Sequence, residues 1–491
     1  MTCARSSLPI LAFSLLCCSP FVIGCGDDDS PLPPAAPNIA WEDCGGGFEC
    51  ADFEVPYDYD APDGRVFMLP LIRRPARVPE QRIGSMLFNP GGPGGSGISF
   101  LKAAWLTMPA PVADRFDLVG FDPRGQAGST PSIDCVDDLG SFVALDLTPS
   151  DTAEEQDIKD TMNAFVAGCA QRSGDLLQYV GTDHIVQDID HLRQALGDEK
   201  LTYVGFSYGT FLGAMYADRF PDHVRALVLD AALDPALDGS QFIEGQARGF
   251  ESELEAFFDD CASKPTCAFY SGGDPRMAYD TLLASIEAAP LAVAGKNRSV
   301  GPGEFTYAVS APLYRPGQWN RLASALARAA TGDGAGLLDL ADGFSGRKSD
   351  GTYANLLEVY YGVLSIDVAF PKDVAIYQAM TDKLEIDAPR LGAYLPFTAY
   401  PSGQWPVASW RTPAPVTASG AAPLLVVVAT HDPATPETWG VSLANQLSSG
   451  IMLKRDGRGH VSFLRGNSCI DSAVTSYLVD LQTPADGTVC Q

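Results

Sequence analysis

Basic residues are scarce in this 491-residue chain: 33 lysines and arginines stand against 61 aspartates and glutamates, a formal net charge of −28. A chain so short of cations is poorly suited to a phosphate backbone or an anionic bilayer surface, which argues against nucleic acid and acidic membranes as partners. Histidine is scarcer still, at five residues. No C-x-x-C or H-E-x-x-H occurs, and no G-K-[ST] follows a glycine-rich loop, so neither a metal site nor a phosphate-binding loop has support. No cofactor is implied. Beyond the amino-terminal segment no apolar run is long enough to span a bilayer. No internal repeat is visible, and the length suits several average domains or one α/β domain with insertions.

What the chain does have is one G-x-S-x-G, at Gly205-Phe206-Ser207-Tyr208-Gly209. Leu201-Thr202-Tyr203-Val204 runs into it as a short buried-strand pattern, and the residues from Thr210 to Ala217 leave it with apolar side chains at helical spacing. Strand, sharp turn and helix form the context in which this pentapeptide is a nucleophile elbow, with the Ser207 hydroxyl exposed at the turn. A serine hydroxyl needs a base to take its proton. His184 and His191 fall in an amphipathic helical pattern from Asp183 to Leu196 and read as helix-packing residues, while His223 follows Phe220-Pro221-Asp222 in a loop. That leaves His431 and His460 downstream of the serine. His460 follows the apolar stretch Ile451-Met452-Leu453 in a glycine-rich loop, where the base of such a site belongs. His431 adjoins the best acid, too close in sequence to pair with it.

That acid is Asp432. It follows Pro423 to Ala429, the most β-prone run in the chain, and lies in the turn-rich loop Thr430 to Pro436, where a carboxylate can hold an imidazole tautomer. Asp230, at the end of the strand pattern Arg225 to Leu229, is the rival. Donors for a developing oxyanion are expected from the loop Pro90 to Gly97 after the strand pattern Ser85 to Asn89, at Gly92, and from the amide of Tyr208. Asp122-Pro123-Arg124-Gly125 reads as scaffold, with Arg124 pinning the loop that follows it.

Together these residues resemble the tripeptidyl-aminopeptidase-like serine hydrolases, relatives of the proline iminopeptidases. The resemblance rests on Trp41-x-x-Cys44, Glu49-Cys50-Ala51 and Val55-Pro56-Tyr57-Asp58-Tyr59, the Asn89 to Gly97 loop, Phe121 to Gly125, the elbow, Asp432-Pro433-x-Thr435-Pro436, Gly459-His460, and a tail with Ser468-Cys469 and Gly487-Thr488-x-Cys490. Ala127 departs from the glycine of the family's D-x-R-G-x-G-x-S segment. The resemblance implies an α/β-hydrolase fold with a mostly parallel sheet and a large, mostly helical cap. Residues 41–235 and 421–491 would form the core, and residues 236–420 the cap. It also implies peptide substrates with free amino termini, with a carboxylesterase or lipase-like enzyme as the alternative. Relatives carry cap cysteines where Ser365 and Ser402 stand here, which implies one staple fewer.

Residues 1–24 read as a signal peptide, with Arg5 ahead of an apolar stretch. Val22-Ile23-Gly24-Cys25 resembles a bacterial lipobox with Cys25 as the lipidated residue, simple cleavage and release being the rival. Residues 25–40 would then be a disordered tether, and a lipid at Cys25 the protein's contact with membrane. The location implied is the bacterial cell envelope. Eight cysteines remain after the signal and lipobox, and short loops favour Cys44–Cys50, Cys135–Cys169, Cys261–Cys267 and Cys469–Cys490 as disulfides. Glu251, Glu255 and Asp259 recur every four residues along one helix face, a solvated surface by default and a candidate anchor for a substrate ammonium.

Overall fold

The computed structural model describes residues 39–491, so the expected signal peptide, Cys25 and all but the end of the tether lie outside the described residues. Twelve strands run in chain order: β1 (Glu42–Gly45), β2 (Phe48–Pro56), β3 (Val66–Arg74), β4 (Gly84–Asn89), β5 (Phe116–Phe121), β6 (Leu201–Phe206), β7 (Val224–Asp230), β8 (Leu291–Ala292), β9 (Ser299–Val300), β10 (Leu424–His431), β11 (Gly450–Arg458) and β12 (Thr488–Cys490). Ten of them form one sheet in the order β1-β2-β3-β5-β4-β6-β7-β10-β11-β12. The first three are an antiparallel meander joined to β5, and everything from β5 to β12 is parallel.

Strands β4, β5 and β6 are buried at every position, as expected of parallel strands covered on both faces. One large apolar cluster, including Phe53, Phe67, Val119, Tyr203 and Leu212, covers one side of the sheet. Another, with Phe88, Phe116, Val204 and Val427, covers the other. Arg124 is fully buried and does more than hold its own loop. Its guanidinium grips Asp188 at 2.7 and 2.5 Å and the carbonyls of Pro56, Tyr57 and Tyr179, tying the β2 end to the helix Thr182–Ala195.

Between β7 and β10 the chain is helical apart from the β8–β9 ribbon. The helix Gly239–Ala262 opens with Asp238 and Gln241 in a reciprocal capping box. Its buried stripe, including Phe250, Leu254, Phe257 and Phe258, packs with Tyr279, Phe305, Leu322 and Leu337 into a third apolar cluster. A later helix of the same stretch runs from Leu356 to Asp367. Sulfur atoms are bonded in four pairs, Cys44–Cys50, Cys135–Cys169, Cys261–Cys267 and Cys469–Cys490.

Candidate active site

Ser207 stands between β6 and the helix Tyr208–Arg219 with φ 55° and ψ −125°, a conformation costly for a side-chain-bearing residue. The turn is tight enough that a Cβ on Gly205 would come within 2.2 Å of the Gly209 carbonyl oxygen, and one on Gly209 within 2.7 Å of the Asn89 carbonyl oxygen. The Ser207 amide bonds to the Asp230 carbonyl at 3.0 Å, and the Thr210 hydroxyl donates to the Ser207 carbonyl at 2.6 Å. Strain at the serine is thus held in place from both flanks.

The parallel register sets what surrounds it. Asn89 at the β4 end lies opposite Gly205, and Asp230 at the β7 end lies opposite Phe206. Gly91 has φ 89° and packs so closely on the elbow that a Cβ there would lie 2.4 Å from the Phe206 carbonyl oxygen. Within this loop the amide of Gly91 donates to the Asn89 side chain, that of Gly94 to Gln126, and that of Gly95 to the Gly91 carbonyl. Among the described residues the amides of Gly92 and Tyr208 have no such partner, and Gly92 and Ser207 wall the same cavity.

His460 follows β11 in a loop fastened by Arg455, whose guanidinium donates to the carbonyls of Arg458 and Gly459 at 2.9 and 2.7 Å. Its Nδ1 lies 2.8 and 2.9 Å from the two carboxylate oxygens of Asp432. Asp432 is itself buried and accepts from the amides of Ala434 and Thr435 at 3.0 and 2.9 Å. The ring's hydrogen bonds run to Asp432 and to the Thr435 hydroxyl at 3.4 Å, and none reaches Ser207. Such bonds often tighten when substrate binds. His431 lies one residue from Asp432 and its side chain is exposed. Asp230, the rival acid, is fully buried and faces backbone instead of the ring: it accepts from the amides of Ser462 at 3.1 and 3.0 Å and of Phe463 at 2.7 Å. Burial, opposed by those donors, pushes its carboxyl up to about 6.

The upstream histidines stand apart from this group. His191 packs edge-on against Tyr59, His184 lies against Asp183, and His223 meets Asp190 at 2.8 Å. Nor do the three cap acids face the serine. Glu251 accepts from the amides of Arg390 and Leu391, Glu255 pairs with Arg276 and Arg390, and Asp259 with Arg276. They hold cap segments together.

Four side chains take positions to which the sequence assigned no role. Tyr314 packs edge-on to the His460 ring at 5.3 Å and its carbonyl accepts from the His460 amide, so the cap touches the base directly. Thr435 bridges toward the same ring. Glu253 is buried on the cap helix at 3.0 Å from Arg458, with burial raising its carboxyl to about 7. Asp367 accepts from the Thr182 amide at 2.9 Å and from the Thr182 hydroxyl, the Tyr208 hydroxyl and the Trp410 indole at 2.7 Å each. Only the Thr435 neighbourhood carried a local signal, the turn-rich loop itself.

Ser207 opens on a cavity of about 250 Å³. Its walls come mostly from the cap and are apolar, aromatic or hydroxyl-bearing apart from the Gln246 amide, among them Phe250, Thr306, Tyr307, Tyr360 and Tyr394. None is charged.

The α/β-hydrolase fold family matches residues 84–466. The chain is 38% identical over 472 residues to serine protease Hip1 of Mycobacterium tuberculosis, covering 91% of this chain and 88% of that protein. It is 36% identical to carboxylesterase B of the same organism, over 93% and 91% of the two chains. Against the tripeptidyl aminopeptidase of Streptomyces lividans it is 32% identical, over 93% and 87%. The chain belongs to the α/β-hydrolase family, among the tripeptidyl-aminopeptidase-like enzymes. It is a serine hydrolase.

Proposed function

We propose that this is an exported serine exopeptidase that removes short peptides, tripeptides foremost, from free amino termini. Ser207 Oγ attacks the scissile carbonyl carbon while His460 takes its proton, and Asp432 holds the ring and stabilises its charged form. The amides of Gly92 and Tyr208 donate to the oxyanion. Collapse of the tetrahedral intermediate breaks the C–N bond, and the departing amine takes the proton from His460. Water, deprotonated by the same ring, then releases the acyl group from Ser207. What carries this reading is the pairing of His460 with both oxygens of a buried Asp432, at the same strand ends as the cavity holding Ser207.

The domain division belongs to the same proposal: core from 41–235 and 421–491, and cap from 236–420 shaping the acyl cavity. So does the amino terminus, with export by residues 1–24, a lipid on Cys25 and a tether over 25–40. Cys25→Ser is expected to move the protein from the membrane fraction to the soluble fraction.

The uncharged wall of the Ser207 cavity favours a second reading, a carboxylesterase, because a substrate ammonium there would meet no carboxylate. A matched pair of tripeptide arylamides decides between them, one with a free amino terminus and one acetylated, with Ser207→Ala as blank. Strong preference for the free amine supports the exopeptidase. Cleavage of short-chain aryl esters with neither amide cleaved sinks it in favour of the esterase.

A further inference from the structure

A second cavity, of about 530 Å³, opens on the other side of Tyr314 and Phe344, which wall both. It is bordered by His460, and by Pro90 and Phe206 beside the elbow. Three arginines converge on it, Arg315 and Arg321 from the cap and Arg465 from the loop after His460. In a chain whose acids outnumber its bases 61 to 33, most of the described arginines find a carboxylate, Arg124, Arg276, Arg390 and Arg458 among them. Arg225 and Arg455 instead direct their guanidinium groups to backbone carbonyls. Among the described residues, no ion pair within 4.0 Å engages Arg315, Arg321 or Arg465. The one carboxylate in the lining, Asp339, lies 3.1 Å from the Lys296 ammonium. All three arginines are exposed residues; partial burial first, then the charge of Arg315, opposed by Asp230, holds the Arg465 guanidinium below its usual value.

The side of the site is informative. A base that gives its proton to the leaving group has that group against it, so the His460 side receives what departs and the Ser207 cavity receives the acyl part. We propose that the arginine-lined cavity binds the leaving group, and that Arg315, Arg321 and Arg465 recognise a carboxylate on it. The substrate is then uncharged on its acyl side and anionic beyond the cut bond. The carboxylate is either the C-terminal one of a short departing peptide or an acidic side chain just after the bond. This rests on Ser207 and His460 as nucleophile and base, and not on the choice between peptide and ester.

The test uses one acyl group esterified to 4-hydroxybenzoate and to 4-hydroxybenzamide, each rate divided by that of hydroxide-catalysed hydrolysis. The mature enzyme is expected to favour the benzoate ester by about tenfold in kcat/KM, the scale of one partly exposed charge-assisted contact, and less so as salt rises. In Arg315→Gln/Arg321→Gln/Arg465→Gln the ratio is expected to fall to about one, with Arg→Lys variants retaining part of it. A ratio of one in the wild type, or an unchanged ratio in the variant, overturns the proposal. Inhibition of the wild type by Gly-Ala, Asp-Ala-amide and Gly-Ala-amide separates the two sources and needs no variant. Weaker Gly-Ala-amide alone supports the site, the better of the other two names the carboxylate, and equal inhibition by all three overturns it. Failure of the exopeptidase reading shows separately, as ester cleavage without arylamide cleavage.

Discussion

At the residue scale, two aspartates at the ends of neighbouring strands serve the His460 loop in different ways. Asp432 meets the ring nitrogen, whereas Asp230 receives the amides of Ser462 and Phe463 and so positions the backbone just past the histidine. Asp432→Asn is therefore expected to lower kcat by roughly 10³ to 10⁴ with little loss of stability, since an amide can still accept the same loop bonds. Asp230→Asn offers one acceptor oxygen where two served, and is expected to cost about 1–3 kcal/mol of stability. Ester kinetics and thermal unfolding on the two variants check both. The sequence left these acids as rivals because each ends a β-prone run. What separates them is which loop returns over which strand end, a matter of register across 232 residues that no local pattern carries. Ser402 makes a contrasting case: its hydroxyl is buried with no hydrogen-bond partner among the described residues, so Ser402→Ala is expected to hold or slightly raise the melting temperature.

At the scale of elements, Asp367 latches the cap to the elbow. It ends the helix Leu356–Asp367, yet its four donors come from Thr182 and Tyr208 of the core and from Trp410. Asp367→Ala leaves the Thr182 amide and one of the two hydroxyls, which bond each other at 2.6 Å, buried without an acceptor, with an expected cost of about 1–3 kcal/mol. Because Tyr208 also carries a proposed oxyanion amide, kcat is expected to fall well beyond what the stability loss explains. Hydrogen exchange is expected to rise in 356–367 before it rises in β6. Asp367→Asn, which keeps acceptors in place, should recover part of both. The strands β4, β6, β7 and β10 were legible because each is an apolar run bounded by turn residues. The meander β1 to β3 and this latch were not, since the first alternates weakly and the second joins residues 159 positions apart. Ser365, two residues before the latch, is buried too, and its helix adjoins that of Ser402.

Over the whole molecule, buried acids set how stability follows pH, with Glu251 and Glu358 raised by burial alongside three others. Asp230 and Asp367 are raised from 3.8 to about 6, and Glu253 from 4.5 to about 7, burial being the leading cause each time. A carboxyl raised on folding binds its proton more tightly in the folded chain, so folding is favoured while it is protonated. That advantage disappears as pH climbs from the unfolded value through the folded one, here from about pH 4 to about pH 7. The net charge of −28 acts in the same direction, because self-repulsion grows as carboxylates ionise. Asp190 acts oppositely. Its carboxyl is held down to about 2 by Arg193, Gln194 and Tyr216 against the opposing pull of burial, and that contribution is lost only below about pH 4. The melting temperature is therefore expected to peak at about pH 4 to 5 and to fall by several degrees toward pH 8. Calorimetry across that range checks it, and a melting temperature that rises steadily from pH 5 to pH 8 would refute it. Glu253→Gln removes the group with the highest value and leaves the rest, so it is expected to flatten the curve chiefly between pH 5 and pH 7. A uniform shift of the whole curve would instead mean that Glu253 contributes by packing alone, and that the slope belongs to net charge.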